Sequence, residues 1–271
     1  MPSSRPGTGK GVPSTAFQRL REQIKWVDLV FEVVDGRVPV ASRHPNSEEI
    51  FGQKPRLLVI TKEDLSDRRV LEPWHDKGVV LSLKTGKGRD KIFKKALDLT
   101  KDKRESLAKK GILPRPMRIC VVGMPNVGKS SLINWLIGTN KAKVADRPGV
   151  TKGNQWVRVH PQIELLDTPG ILPVSALSKE SVIRLALFNL VPGSNYEVEE
   201  VARVGLDILK SNYPELMKTY AAGAELDGLS LEAIAQKKNF ITTGAKPDYM
   251  RAAATLLSDV RSGKFGRVSL E

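Results

Sequence analysis

Apolar positions along this chain follow one spacing up to about residue 177 and another after it. In the first part short, nearly unbroken apolar runs recur: "DLVFEVVD" from Asp28, "RLLVI" at 56–60, "GVVLSL" at 78–83, "MRICVVG" ending at Gly123, "QWVRVH" ending at His160 and "IELLD" ending at Asp167. Runs without alternation are typical of strands covered on both faces. Stretches of helical spacing or turn residues separate them, and strand, crossover and strand in succession build a parallel sheet. The pattern predicts an α/β fold with six strands in one mostly parallel sheet. A helix is predicted where Phe17, Leu20, Ile24 and Val27 share a face, and one long charged helix over "DKIFKKALDLTKDKRESLAKK", stopped by the Gly and Pro of "GILPRP". Beyond residue 178 only helical spacing remains. Val198, Val201, Gly205, Ile208 and Leu209 form one apolar face, and Tyr249, Ala253, Leu256, Leu257 and Val260 another, with Pro247 suited to a first turn and Gly263 to an exit. The expected organisation is a Ser-, Pro- and Gly-rich arm over 1–16, an α/β domain over 17–177 and a small all-helical carboxyl-terminal domain over 178–271.

Size and charge narrow the picture. A chain of 271 residues with 40% apolar content can bury one good-sized core and a smaller second one. No apolar run reaches the length of about eighteen residues needed to span a membrane, and "MPSSRPGTGKGVPS" has no secretory leader pattern, so a cytoplasmic protein is expected. A single cysteine, Cys120, sits inside a predicted strand and reads as a small core residue. Lys and Arg number 44 against 30 Asp and Glu, a formal +14 that favours a polyanionic partner such as nucleic acid.

Two motifs carry phosphate chemistry. "GMPNVGKS", Gly123 to Ser130, lies between an apolar strand and a helical segment, the context in which such a loop wraps phosphates. Its glycines let the amides of Asn126, Val127, Gly128, Lys129, Ser130 and Ser131 turn inward around phosphate oxygens, Lys129 neutralises the outer phosphates, and the Ser130 hydroxyl is placed for Mg²⁺. "DTPG" ends the strand "IELLD" about forty residues later: Asp167 can hold the metal through water, and the Gly170 amide can meet a terminal phosphate. Thr151, in "ADRPGVTKG", is the best-placed second hydroxyl for the metal, on a segment that could order around a third phosphate; Thr139 and Thr168 are less well placed.

"TKED", Thr61 to Asp64, precedes the phosphate loop although it looks like the corner that reads the base. Two carboxylate oxygens of Asp64 can accept from the N1 and N2 hydrogens of guanine, whereas adenine offers an acceptor at N1 and no amine at C2. The nucleotide is therefore read as GTP, and an ATP-using phosphotransferase is disfavoured. Lys62 would lie along the base and Thr61 would tie this corner to the phosphate loop. In "SLKTG" a backbone amide among Ser82, Leu83 and Lys84 could touch the guanine oxygen. Ligands of open parallel sheets bind outside the carboxyl ends of the strands whatever the order in which the chain visits them, so one pocket can gather all these pieces.

Base motif, then phosphate loop, then "DTPG" is the order of circularly permuted P-loop GTPases. The chain resembles the ribosome biogenesis GTPase A family through "VDLVFEVVDGRVPVASRHP", "TKED", "GMPNVGKSSLIN", "RPGVTKG", "DTPGIL" and "RSGKFGRVSLE", over roughly residues 17–271. That resemblance implies GTP hydrolysis with Mg²⁺, association with the large (50S) ribosomal subunit and its rRNA rather than DNA, a helical RNA-contacting carboxyl-terminal domain, and a K⁺ held at Asn126. Two positions depart from the family pattern. Thr61 stands where asparagine is commoner, and Val12 falls where relatives carry a histidine given a role in hydrolysis.

Ile171 occupies the position where many GTPases orient the attacking water with glutamine. An apolar side chain cannot do this, so slow turnover alone and acceleration by a ribosomal particle are expected. His44, His75 and His160 read as exposed loop residues without a catalytic role. Arg251, Arg261, Lys264 and Arg267 form a basic row suited to phosphate contacts. The alternative is an RNA-binding module whose GTPase has decayed and which keeps nucleotide as a structural ligand.

Overall fold

Every residue of β1 (Leu29–Asp35) is buried, the charged Glu32 and Asp35 included. Glu32 is neutralised by Arg43 at 3.1 Å, as a buried charge requires. The computed structural model describes residues 15–86, 88–112, 115–138, 155–167, 170–171, 177–221 and 226–271. The remaining strands are β2 (Arg56–Thr61), β3 (Val79–Val80), β4 (Met117–Gly123), β5 (Gln155–His160), β6 (Ile163–Asp167) and β7 (Gly170–Ile171). They form one sheet in the order β3-β2-β1-β4-β6-β5, with the short β7 also paired to β4. All pairings are parallel except β5 with β6, which a turn at Pro161 and Gln162 joins as a hairpin. The six strands expected from the apolar runs are present, and the two-residue β7 is an addition.

This topology explains the permuted order. The chain lays down β1–β3 first, then inserts β4 beside β1 in the register Leu29↔Ile119 and Val33↔Gly123. Asp35 pairs with Thr61 across β1 and β2. The ends that carry Asp35, Thr61 and Gly123 therefore open on one edge of the sheet, although Thr61 and Gly123 are far apart in sequence.

Around the sheet lie α1 (Thr15–Lys25), α2 (Ser47–Phe51), α3 (Arg68–Leu71), α4 (Trp74–Lys77), α5 (Arg89–Leu99), α6 (Lys101–Lys109) and α7 (Lys129–Ile137). The single charged helix expected after β3 is two helices. Buried Thr100 leaves helical geometry at φ −113°, and its Oγ1 donates to the Ala96 carbonyl at 3.0 Å. A threonine bonded back to the preceding turn bends a helix, and here the bend breaks it.

The carboxyl-terminal helices are α8 (Lys179–Leu187), α9 (Val198–Asn212), α10 (Pro214–Ala221), α11 (Leu231–Lys237) and α12 (Tyr249–Ser262). Helix α12 begins later than Pro247 suggests. Pro247 bridges to Ile241, and Asp248 caps the helix by accepting from the Arg251 amide at 2.9 Å, a stronger start than proline alone supplies. Gly263 ends it with φ 80°. Gly205 lets α9 close on α8: a Cβ there would stand 2.2 Å from Leu187 Cδ2. One buried apolar cluster runs from Leu20 through the sheet to Leu270, so the helical region and the sheet share a core. Cys120 lies within it, and burial pushes its thiol up to about 12, the behaviour of an inert core residue. Among the described residues no helix is long and apolar enough to cross a membrane.

Candidate functional site

Strand β4 ends in Gly123, where a Cβ would come within 2.4 Å of the Val33 carbonyl, so only glycine lets the loop leave this closely packed edge. The loop then takes two left-handed residues, Asn126 at φ 56° and Gly128 at φ 103°, and enters α7 at Lys129. The first amides of α7, from Lys129, Ser130 and Ser131, have no partner inside the helix, and Gly128 supplies no side-chain cap. Such an end is an anion cradle. Ser130 and Ser131 are exposed. The ammonium of Lys129 is folded back onto the loop, donating to the Met124 carbonyl at 2.6 Å and the Gly123 carbonyl at 3.0 Å.

Partial burial, with no carboxylate among the described side chains to offset it, pushes Lys129 down to about 8. The free protein therefore loses this charge above about pH 8, and a bound phosphate restores it. GDP affinity is expected to fall about twofold between pH 7 and pH 8 and by up to about tenfold per unit above that, with proton uptake on binding rising towards one above about pH 9. Titration calorimetry in buffers of different ionisation enthalpy checks it. The nucleotide-free protein behaves oppositely. It gains stability as pH rises from about 8 towards 10.5, because the unfolded chain then keeps a proton that the folded one has shed.

The Thr61–Asp64 motif sits on the same edge. Thr61 ends β2 fully buried, and its Oγ1 donates to the Val127 carbonyl at 2.6 Å and lies 3.1 Å from the Val34 carbonyl. Lys62 follows in a left-handed conformation, φ 59°, and its Nζ reaches the Asn126 carbonyl at 3.0 Å. Two side chains from the early motif thus grip the backbone of the late one. Asp64 lies on the single turn after Lys62, with Oδ1 accepting from Ser82 Oγ at 2.8 Å and Oδ2 3.2 Å from Lys84 Nζ. Partial burial raises its pKa, but the bonds from Ser82 and Lys84 outweigh this and hold the carboxyl below the ordinary carboxylate value, so it is ionised at neutral pH. Leu83, between these two partners, is half-buried.

The third motif is placed by its backbone. Gly170 pairs with Val122 and Ile171 with Gly123, which sets the "DTPG" glycine beside the start of the phosphate loop. Asp167 closes β6 opposite Gln155. A serine hydroxyl and a strand-end carboxylate are hard oxygen donors of the kind Mg²⁺ takes, so Ser130 and Asp167 fit that ion. Thr151 lies outside the described residues, as do Thr139, Thr168 and Val12. Asn126 is exposed, and its side-chain amide donates to the Asn189 carbonyl at 2.8 Å.

Sequence reasoning assigned no role to Asp35 and Arg37. Asp35 is fully buried at the end of β1, and its carboxylate binds Arg37 Nη2 at 2.8 Å and Lys62 Nζ at 2.7 Å. Burial opposes the charge, yet Arg37 and Lys62 outweigh it and keep the carboxyl below its ordinary value. Arg37, only 2% exposed, lies over the Phe188 ring and donates to the Arg261 carbonyl at 3.3 Å. No local sequence signal marks the pair, because the burial of both depends on partners far along the chain.

Three expectations need correction, one of them His160, which closes β5 half-covered and is not an exposed loop residue. His44 is buried, not an exposed loop residue, because the segment after β1 folds back over the strand; its Nδ1 accepts from the Asn46 amide at 3.0 Å. Arg261 does not join the basic row, since its guanidinium donates to the Ala186 carbonyl at 2.7 Å and the Leu187 carbonyl at 3.1 Å. His75 is exposed, and His160 is partly covered against the Phe93 ring at 5.0 Å. Lys264 pairs with Asp259 at 2.8 Å, and Arg251 lies over Phe240.

Comparison with known proteins places the chain among GTPases. The family model described as "50S ribosome-binding GTPase" matches residues 118–215. Proteins named Ribosome biogenesis GTPase A from Bacillus pumilus and Bacillus licheniformis are 34% and 35% identical, each match covering 96% of both chains. A crystal structure of GNP-bound YlqF from T. maritima superposes with a TM-score of 0.66 at 25% identity, covering 94% of this chain and 96% of that one.

Proposed function

The chain belongs to the ribosome biogenesis GTPase A family and is a GTPase of ribosome assembly, and on that premise we propose that it docks on the immature large subunit in the GTP state and leaves on hydrolysis. The observation that carries the site assignment is the pair of bonds from Thr61 to Val127 and from Lys62 to Asn126. They hold the base-reading corner against the phosphate loop, so that one guanine nucleotide spans both. In this reading Asp64 accepts from guanine N1 and N2, a backbone amide in Ser82–Lys84 meets the guanine oxygen, and Lys62 lines the base. The amides of Asn126, Val127, Gly128, Lys129, Ser130 and Ser131 surround the phosphates. Lys129 leaves the loop carbonyls for the outer phosphates, and the Gly170 amide meets the terminal one. Mg²⁺ held by Ser130, Thr151 and Asp167 would neutralise charge on the outer phosphate oxygens, and the family resemblance assigns a K⁺ to Asn126.

Ile171 cannot orient water, so a polar group of the ribosomal particle completes the hydrolytic site. The basic row that remains, Arg251, Lys264 and Arg267, contacts rRNA phosphates on the docked particle. GTP hydrolysis titrated with purified large subunits, in K⁺ and in Na⁺, tests this reading. Turnover is expected to be slow alone, to rise on the order of 100-fold with the subunit, the scale of one well-placed catalytic group, and to be faster in K⁺. A rate that ignores the subunit overturns the docking reading. A cytoplasmic setting follows from the same reading.

A further inference from the structure

We propose that Ser269 is a positioning residue for guanine recognition, holding the base-reading turn in place from behind. The inference rests on the reading of Asp64 as the group that accepts from the base.

The turn that carries Asp64 spans Glu63–Leu65; Leu65 N–H and Ser66 Oγ donate to the Lys62 carbonyl, Ser66 N–H to the Glu63 carbonyl, and on its near side Glu63 N–H donates to the Leu81 carbonyl at 3.3 Å. What fixes its far side is chain more than two hundred residues later. The Val268 amide donates to the Leu65 carbonyl at 3.0 Å. Ser269, only 2% exposed, uses one hydroxyl twice, accepting from the Asp67 amide at 3.1 Å and donating to the Gly36 carbonyl at 3.0 Å. The Leu270 amide then donates to the Arg37 carbonyl at 2.8 Å, and the Glu271 carboxylate caps the Val40 and Ala41 amides.

Segment 268–271 is therefore wedged between the two loops that build the base corner. One presents Lys62 and Asp64, and the other presents Asp35, which grips Lys62. The segment is itself anchored: Tyr213 Oη donates to the Ser269 carbonyl at 2.7 Å and accepts from the Ser269 amide at 2.8 Å. At the entrance to it, Gly263 lies so close to Leu65 that a Cβ would stand 2.6 Å from Leu65 Cδ2.

Without the Ser269 hydroxyl, the Asp67 amide and the Gly36 carbonyl lose their shared buried partner. Both loops must shift to recover hydrogen bonds, and Asp64 moves with them. Guanine contacts made by Asp64 are then lost, while the amides of Lys129, Ser130 and Ser131 at the start of α7, which none of these bonds reaches, keep their place. By reciprocity, base binding must also tighten the segment.

The test uses the full-length protein with GDP, with inosine diphosphate, which lacks the 2-amino group, and with inorganic tripolyphosphate. The wild type is expected to prefer GDP over inosine diphosphate about tenfold, one charge-assisted bond. Ser269→Ala is expected to weaken GDP about fivefold and inosine diphosphate less than about twofold, with tripolyphosphate unchanged, roughly two-thirds of the worth of that bond. Hydrogen exchange on the wild type gives a second reading: GDP slows exchange at the Val268 and Leu270 amides and tripolyphosphate does not.

An unchanged preference in Ser269→Ala, even with a lower melting temperature, overturns the positioning role, because a merely structural residue lowers stability without moving the ratio of affinities. Exchange at Val268 and Leu270 that ignores GDP overturns it as well, whether or not the variant folds. A wild type that does not separate the two nucleotides overturns the Asp64 reading and this inference together.

Discussion

Asp64→Asn is expected to lower GTP affinity on the order of 100-fold or more and to turn the site towards xanthosine triphosphate. The Asp64 carboxylate is ionised and aimed by Ser82 and Lys84, so it presents two acceptors to a base that offers two donors. Hydrogen bonds to a charged group are worth about 1.5–3 kcal/mol each, and the variant loses one and weakens the other. The asparagine amide group meets the guanine 2-amino group donor to donor. Xanthine carries a carbonyl at that position, and the same amide group then finds an acceptor. Ser82 can reverse its hydroxyl to suit either side chain, so the fold is retained. Competition of GTP, XTP and ATP for a fluorescent nucleotide measures the switch. Equal GTP affinity in wild type and variant would remove Asp64 from the base site.

Lys129→Ala is expected to cut GTP turnover on the order of 1,000-fold while leaving the melting temperature of the nucleotide-free protein unchanged or higher. Among the described residues Lys129 serves no buried carboxylate; its ammonium is bonded to the Met124 and Gly123 carbonyls, and burial already opposes its charge. Removing it therefore relieves the free protein. The same removal leaves the outer phosphates without a cation as negative charge accumulates in the transition state, where one preorganised donor is worth about 100- to 1,000-fold. Lys129→Arg is not expected to rescue, since a planar guanidinium cannot occupy the space of a compact ammonium between two carbonyls. Single-turnover hydrolysis beside a thermal melt separates the two effects. A melting temperature that falls together with activity would make Lys129 a structural residue.

How much of this was legible in the sequence follows from the range of each interaction. β1, β2, β4 and β6 announce themselves because a strand covered on both faces is mostly apolar, with a charge such as Glu32 admitted only where it is paired. The permuted order was readable because strand ends gather on one edge regardless of chain order, and the register of β1 against β4 realises it. β7 had no such signal: two residues, Gly170 and Ile171, carry no period. The break at Thr100 was hidden because helical spacing continues through it, and only the back-bonded hydroxyl interrupts the chain.

Within the site, Thr61 and Lys62 could be argued from local chemistry. Asp35, Arg37 and Ser269 could not. Each is polar and lies near a strand end or in a terminal stretch, where polar residues ordinarily face water, and their burial depends on partners far away in sequence. Ser269 meets Gly36 across 233 residues, and Arg37 meets Arg261 across 224. His44 misled for the same reason, because the fold of the following loop over β1 is what covers it.

A crystal structure with Mg²⁺ and a non-hydrolysable GTP analogue is the most direct measurement of whether one nucleotide joins the early and late motifs. The prediction is a guanine whose N1 and N2 lie about 3 Å from the Asp64 carboxylate, with the phosphates of the same molecule on the amides of Asn126 to Ser131. A base bound away from Asp64, or phosphates held anywhere but that loop, would contradict it.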